Sequence, residues 1–301
     1  MSDRIGLHDA DGTKYPNLAL MKLSAWHKSQ GHDVELYREG EGYDQIYSSK
    51  VFTFTPDPTG LPEGTIKGGT GYGSKEVLPE EVEHICPDYS LYDLNYSLGF
   101  VTRGCIKKCA HCFVPEKEGY IKAHADIKEF VRHKSLVLMD NNILACDHGL
   151  SQIEKIAENG IKVDFNQGLD AALVTSDVAA LLKRVKFLQP LRLACDGPHS
   201  IEPVRKAVEL LRYHNVTPGR YFAYLLVKDV DEALERVKFL KSMWVDPFAQ
   251  PYRDKEGTPP TDEQKAFARW VNMKAEFKTQ TWEQYKARKL KGGEEISCQS
   301  P

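Results

Sequence analysis

Leu98-Gly99-Phe100-Val101-Thr102-Arg103-Gly104-Cys105-Ile106-Lys107-Lys108-Cys109-Ala110-His111-Cys112-Phe113 joins an apolar run to three cysteines in eight positions. The run predicts a strand over 98–102, so the cysteines sit in the loop at its C-terminal end. The same alternation continues downstream. Helical spacing over 127–133 precedes a strand over 135–139, which ends in Asp140-Asn141-Asn142. A helix over 150–159, capped by Gly160, leads to a strand over 162–166 that ends in Gln167-Gly168-Leu169-Asp170. A helix over 176–184 leads to a strand over 192–195, which ends in Asp196-Gly197. Helices over 201–214 and 230–242 then alternate with strands over 221–227 and 244–248. Strands separated by helices need a parallel sheet with crossover connections. Six such units are two short of a full eightfold barrel.

Upstream, strands over 5–7, 34–37 and 47–55 with a helix over 18–29 predict a smaller parallel unit. The glycine-rich stretch Gly68-Gly69-Thr70-Gly71-Tyr72-Gly73 reads as a loop and lacks the spacing of a phosphate-binding motif. Downstream, Thr261 and Gln264 have the spacing of a capping box, and Phe267, Trp270, Val271 and Phe277 can share one helix face. The expected fold class is therefore α/β. A small Rossmann-like α/β domain over 1–95 precedes a partial (βα)6 TIM-like barrel over 96–252, and a short helical tail with a disordered end occupies 253–301.

The 301 residues are 41% hydrophobic and 28% charged with a net charge of −3, an ordinary globular balance that excludes a global pull toward polyanions. No run is long enough to span a bilayer, and the N-terminus lacks the apolar core of a signal peptide, so a cytoplasmic location without membrane association is expected. Seven cysteines, an odd number spread thinly, argue against a disulfide framework. Cys105, Cys109 and Cys112 instead have C-x3-C-x2-C spacing. Three thiolates so placed can take three corners of a [4Fe–4S] cube and leave the fourth iron open. Structural zinc wants four ligands, usually as two separated pairs, and no second C-x2-C is present. Cys86, Cys146 and Cys195 read as small packing residues.

The motif, its place after the first barrel strand and the six βα units resemble the radical S-adenosylmethionine (SAM) superfamily. That resemblance implies that SAM chelates the open iron, that the reduced cluster cleaves it, and that the resulting 5′-deoxyadenosyl radical activates a substrate, here unknown. It also implies a reductant such as flavodoxin or ferredoxin. His111 falls where the family has an aromatic residue near the adenine. Asp140, Asn141 and Asn142 replace the Gly-Gly-Glu-like segment that holds the SAM amino group. By position at strand ends, Gln167, Arg192 and Asp196 complete the expected SAM contacts, Asp196 as an acceptor for ribose hydroxyls.

The N-terminal unit and Phe165-Asn166-Gln167-Gly168-Leu169-Asp170 further resemble the branch with methylthiotransferases and cobalamin-domain proteins. The cobalamin-ligating Asp-x-His-x-x-Gly is absent, since His8 is followed by Asp9-Ala10-Asp11-Gly12, which argues against cobalamin. Methylthiotransferases need three further cysteines in the leading domain, where this chain has only Cys86. The basic, aromatic tail keeps a nucleic-acid or nucleotide substrate as an alternative. A non-catalytic metal-binding protein or iron–sulfur sensor is the alternative of another class.

Overall fold

The computed structural model describes residues 2–110, 112–216, 221–254 and 258–291. His111 and the end of the tail, read from the sequence as disordered, lie outside the described residues. In the N-terminal unit β1 (Arg4–Asp9), α1 (Leu18–Ser29), β2 (Asp33–Leu36), β3 (Gln45–Ser49) and β4 (Ile66–Gly68) form a parallel sheet in the order β2-β1-β3-β4. Asn17 caps α1 through its side-chain oxygen and ties it to the sheet through Ser49, Nδ2 to Oγ at 2.9 Å. Leu20 and Leu23 pack against Ile5, Leu7 and Val34 of the sheet.

The third strand is shorter than the sequence implies. Asp11 accepts the N–H groups of Val51 (2.6 Å) and Phe52 (3.3 Å), which turns the chain out of the sheet at Lys50. Val51, Phe52 and Phe54 are accordingly exposed. The glycine-rich stretch contributes β4 and a turn pressed against β3's end, where Gly71 donates to the Lys50 carbonyl at 2.8 Å. At Gly69, with φ +101°, a Cβ would stand 2.4 Å from that carbonyl oxygen, so only glycine fits.

A short helix α2 (Glu80–Glu83) leads into β5 (Ser97–Gly99), then β6 (Thr102–Arg103), α3 (Val114–Lys117), β7 (Lys122–Ala123) and the single turn α4 (Ile127–Phe130). The series continues with β8 (Ser135–Leu138), α5 (Asp147–Glu158), β9 (Lys162–Phe165), α6 (Ser176–Lys183), β10 (Lys186–Phe187) and β11 (Leu191–Ala194). It ends with α7 (Ile201–Tyr213), β12 (Tyr221–Val227), α8 (Val230–Ser242) and β13 (Val245–Pro251). Neighbouring strands pair in parallel as the alternation requires, but one continuous sheet does not form. β10-β9-β8-β5 make one sheet and β11-β12-β13 another, joined by a single parallel bridge between Leu169 and Leu193. The strand expected over 192–195 forms as β11; the short β10, not expected from the sequence, pairs with β9, and Pro190, which cannot donate to a ladder, stands between the two. The structure is thus an open α/β arc of two parallel sheets, with no closed barrel among the described residues.

One large core of leucine, valine and isoleucine lies between these sheets and their helices. The N-terminal unit is not separate from it in space: Met21 of α1, Tyr89 and Leu98 of β5 form a shared apolar cluster.

The tail folds as α9 (Asp262–Asn272), α10 (Lys274–Thr279) and α11 (Trp282–Lys291). Thr261 and Gln264 make the expected capping box. Phe267, Trp270, Phe277, Trp282 and Tyr285 are all buried, packed ring against ring. The aromatic residues that suggested a nucleic-acid partner are therefore core residues and present no stacking surface. Asn272 also protects the open edge of β13. Its Nδ2 donates to the Ala249 carbonyl and its Oδ1 accepts the Ala249 N–H, both at 2.9 Å, as a neighbouring strand would. Asn272→Ala should cost about 2 kcal/mol in urea unfolding, from two backbone groups left unpaired at a covered edge. A loss under a few tenths would show that water replaces the amide.

Candidate metal centre

β6 and β7 pair antiparallel, Thr102 opposite Ala123 and Arg103 opposite Lys122, so the cysteine segment is the loop of a hairpin. Cys105 extends the ladder by donating to the Gly119 carbonyl at 3.3 Å. Gly104, at φ +82°, makes this crossing feasible: a Cβ there would lie 2.5 Å from the Tyr120 carbonyl oxygen. Glu118 holds the entry to the loop. Its carboxylate accepts from Gly104 N at 2.9 Å, Arg103 Nη1 at 3.2 Å and Asn141 Nδ2 at 2.9 Å. Arg103 also stacks on Phe100, 3.8 Å from the ring centroid, and reaches Glu83 of α2 at 3.4 Å.

Cys112 N donates to the Cys109 carbonyl at 3.0 Å. Burial pushes the Cys109 thiol up from its ordinary range; Cys112, Cys105 and Asp196 push it further while Lys107 opposes them. Three thiols and an aspartate thus crowd into one electrostatic neighbourhood, which a cationic metal centre would relieve. Among the described residues no three His, Cys, Asp or Glu side chains converge on one point at ion-binding distance. A cube does not ask for that, because each thiolate takes a different corner iron.

Asp140, expected to reach SAM, is buried and serves the chain itself. Its Oδ1 accepts from Val101 N (3.1 Å), Thr102 N (2.5 Å) and Thr102 Oγ1 (2.6 Å), fixing the strand that enters the cysteine loop. Oδ2 has no partner, and burial raises the carboxyl to about 6 against those three donors. A raised carboxyl favours the fold below its ordinary value near 4, and that contribution is lost as pH rises through 6. Asp140→Asn, which keeps Oδ1 and has no charge to bury, should therefore be the more stable protein at pH 7 by roughly 2–3 kcal/mol. The two should converge toward pH 4 in urea titrations; parallel curves from pH 4 to 8 would refute the assignment.

Asn142 is also buried, with Nδ2 3.5 Å from Cys105 Sγ and 3.3 Å from Asp170 Oδ2. Its Oδ1 is buried without a partner. Asp170 in turn accepts from Lys107 Nζ at 2.7 Å and Ala172 N at 3.2 Å. Lys107 donates its own N–H to Cys105 Sγ at 3.4 Å. Arg192 pairs with Asp164. Beside it, half-buried Phe222, Tyr224 and Phe248 touch ring to ring, and Tyr224 OH donates to the Asn166 carbonyl across the seam at 3.0 Å. Gln167 stands exposed on the turn after β9.

The structure thus brings Asn142 to the Cys105 sulfur and Asn141 to Glu118 at the entry of the cysteine loop. Sequence reading missed Glu118, Lys107 and Asp170 as parts of the site. Their partners lie 14, 63 and 28 positions away, and no local spacing announces them.

No family model matches the chain, and no curated protein does. Solved structures of the cobalamin-dependent S-adenosylmethionine radical enzyme OxsB resemble it. One, with aqua-cobalamin and SAM bound, has TM-score 0.50 at 13% identity over 92% of this chain. Another, with aqua-cobalamin bound, has TM-score 0.49 at 13% identity over 92%. The chain shares the fold of that enzyme. It spans 56% of the length of that enzyme. Three thiols, with N–H donors directed at the Cys105 sulfur, fit an iron–sulfur cluster better than a four-ligand zinc site. Among the described residues no helix is long and apolar enough to cross a membrane.

Proposed function

We propose that this chain is a radical SAM enzyme in which Cys105, Cys109 and Cys112 hold a [4Fe–4S] cluster. The observation that carries the reading is the cysteine hairpin itself, at the C-terminal end of the first strand of a parallel arc with this fold. Such a cluster supplies the one electron that cleaves SAM reductively, releasing a 5′-deoxyadenosyl radical that activates a substrate. The residues of the chain bind and orient. Asn142 offers a buried, unpartnered Oδ1 beside Cys105, suited to an ammonium or hydroxyl donor. Asp196, near Cys109, carries the negative charge for a second polar group of SAM. Phe222, Tyr224 and Phe248, a half-buried ring cluster beside Arg192, would help to keep water from a reactive intermediate.

OxsB is cobalamin-dependent, and its structures hold aqua-cobalamin. Here His8, the histidine on β1, shares a 2.8 Å hydrogen bond with Ser48, and the Asp-x-His-x-x-Gly pattern is absent. The test is anaerobic reconstitution, iron and sulfide analysis, then dithionite and SAM. About four irons and four sulfides per chain with 5′-deoxyadenosine released are expected. Zinc without sulfide would overturn the reading.

A further inference from the structure

Resting on that proposed function, we infer that Asn142 is a positioning residue for the cluster, an N–H donor to the Cys105 sulfur whose orientation is set by Asp170 and Lys107. The amide could in principle present either end to the sulfur. Asp170 decides which. Its carboxylate oxygen, 3.3 Å away, accepts only, so the Asn142 group facing it is the NH2. The same nitrogen is 3.5 Å from Cys105 Sγ. Asp170 is fixed by the Lys107 ammonium at 2.7 Å and by Ala172 N at 3.2 Å, so it has little freedom to release the amide. Lys107 belongs to the cysteine loop and Asp170 follows β9, so the ion pair also fastens the loop to the third strand. The circuit closes on one atom: Cys105 Sγ takes the Lys107 backbone N–H at 3.4 Å as well. Two N–H donors, one from the backbone of the cysteine loop and one from the loop after the second strand, therefore meet at the Cys105 sulfur.

Hydrogen bonds to cluster sulfurs stabilise the more negative, reduced state and so raise the reduction potential. Asn142→Leu matches the side chain in size and removes the donor. At a fixed potential its reduced-to-oxidised ratio should fall about tenfold, or ~59 mV for one electron. The experiment is a dithionite-poised titration of the reconstituted full chain followed by electron paramagnetic resonance. Asn142→Ala gives the same reading should the leucine variant not fold, and Asn142→Gln, which restores an amide, should recover part of the shift. A merely structural role would lower iron content or melting temperature without moving the potential of the loaded fraction. Loaded Asn142→Leu or Asn142→Ala at the wild-type potential would overturn this inference and leave the proposed function standing. Wild-type protein that assembles no cluster would overturn the proposed function first, before any variant is made.

Discussion

Replacing Cys105, Cys109 or Cys112 with alanine, one at a time, should reduce cluster iron and sulfide to background and abolish SAM cleavage, while far-ultraviolet dichroism and the unfolding midpoint stay near wild type. The reason is a separation of tasks within the hairpin. The fold of the loop is held by groups other than the thiols: the β6–β7 ladder, Gly104, and the Glu118 carboxylate with its three donors. No core cluster contains these three cysteines, whereas Cys195 belongs to the main one. Removing a sulfur therefore deletes a ligand without opening a cavity. Cys195→Ala is the contrasting control. That thiol is buried, its proton held up to about 12 by burial, and it should keep the cluster and lose stability. Alanine variants at the three loop positions that retain four irons and cleave SAM would place the metal centre elsewhere.

The legible parts of this chain are those whose cause is local. Leu136 and Leu138 alternate with half-buried neighbours in β8, and the apolar stripe of α7, Val204, Ala207, Val208 and Leu211, is fully buried as its spacing implies. The cysteine spacing is local too. The readings that changed depended on distant partners. Val51, Phe52 and Phe54 favour a strand, yet Asp11, some 40 positions earlier, takes the N–H groups of Val51 and Phe52 and ends it. Asp140 reads as a ligand for SAM because it follows a strand, but Val101 and Thr102 claim it from the neighbouring strand's end. The tail's aromatics look like a stacking surface until they pack on one another. Polar residues at strand ends can serve either the ligand or the chain, and only the three-dimensional partner list distinguishes the two.

Glu83→Gln should be the most destabilising polar substitution in the protein, by about 3 kcal/mol or more at pH 7. Glu83 ends α2 in the N-terminal unit and meets two cations and an imidazole: Lys22 Nζ at 3.0 Å, Arg103 Nη2 at 3.4 Å and His124 Nε2 at 3.2 Å. Burial alone would raise its carboxyl; the His124 hydrogen bond, Lys22 and Arg103 outweigh that and hold it at about 2. Lys22 is itself buried and its ammonium is pushed down by desolvation, with Glu83 as the main opposing charge. Neutralising Glu83 leaves that ammonium without its counter-ion in a low-dielectric seam between the two units, which is where broken buried pairs cost most. The sign is fixed by the depressed value: the stabilisation is complete above about pH 4.5 and is lost as pH falls through 2. Urea midpoints of wild type and variant should therefore differ at pH 7 and draw together in acid. Lys22→Met in the Glu83→Gln background should recover part of the loss, because it removes the stranded charge and keeps the apolar stem. Equal midpoints at pH 7 would mean that water already screens the network. Because Arg103 joins Glu83 to Glu118 and hence to Gly104, the same substitution loosens the entry to the cysteine loop, and the variant should release its cluster to a chelator faster than wild type while starting from the same iron content.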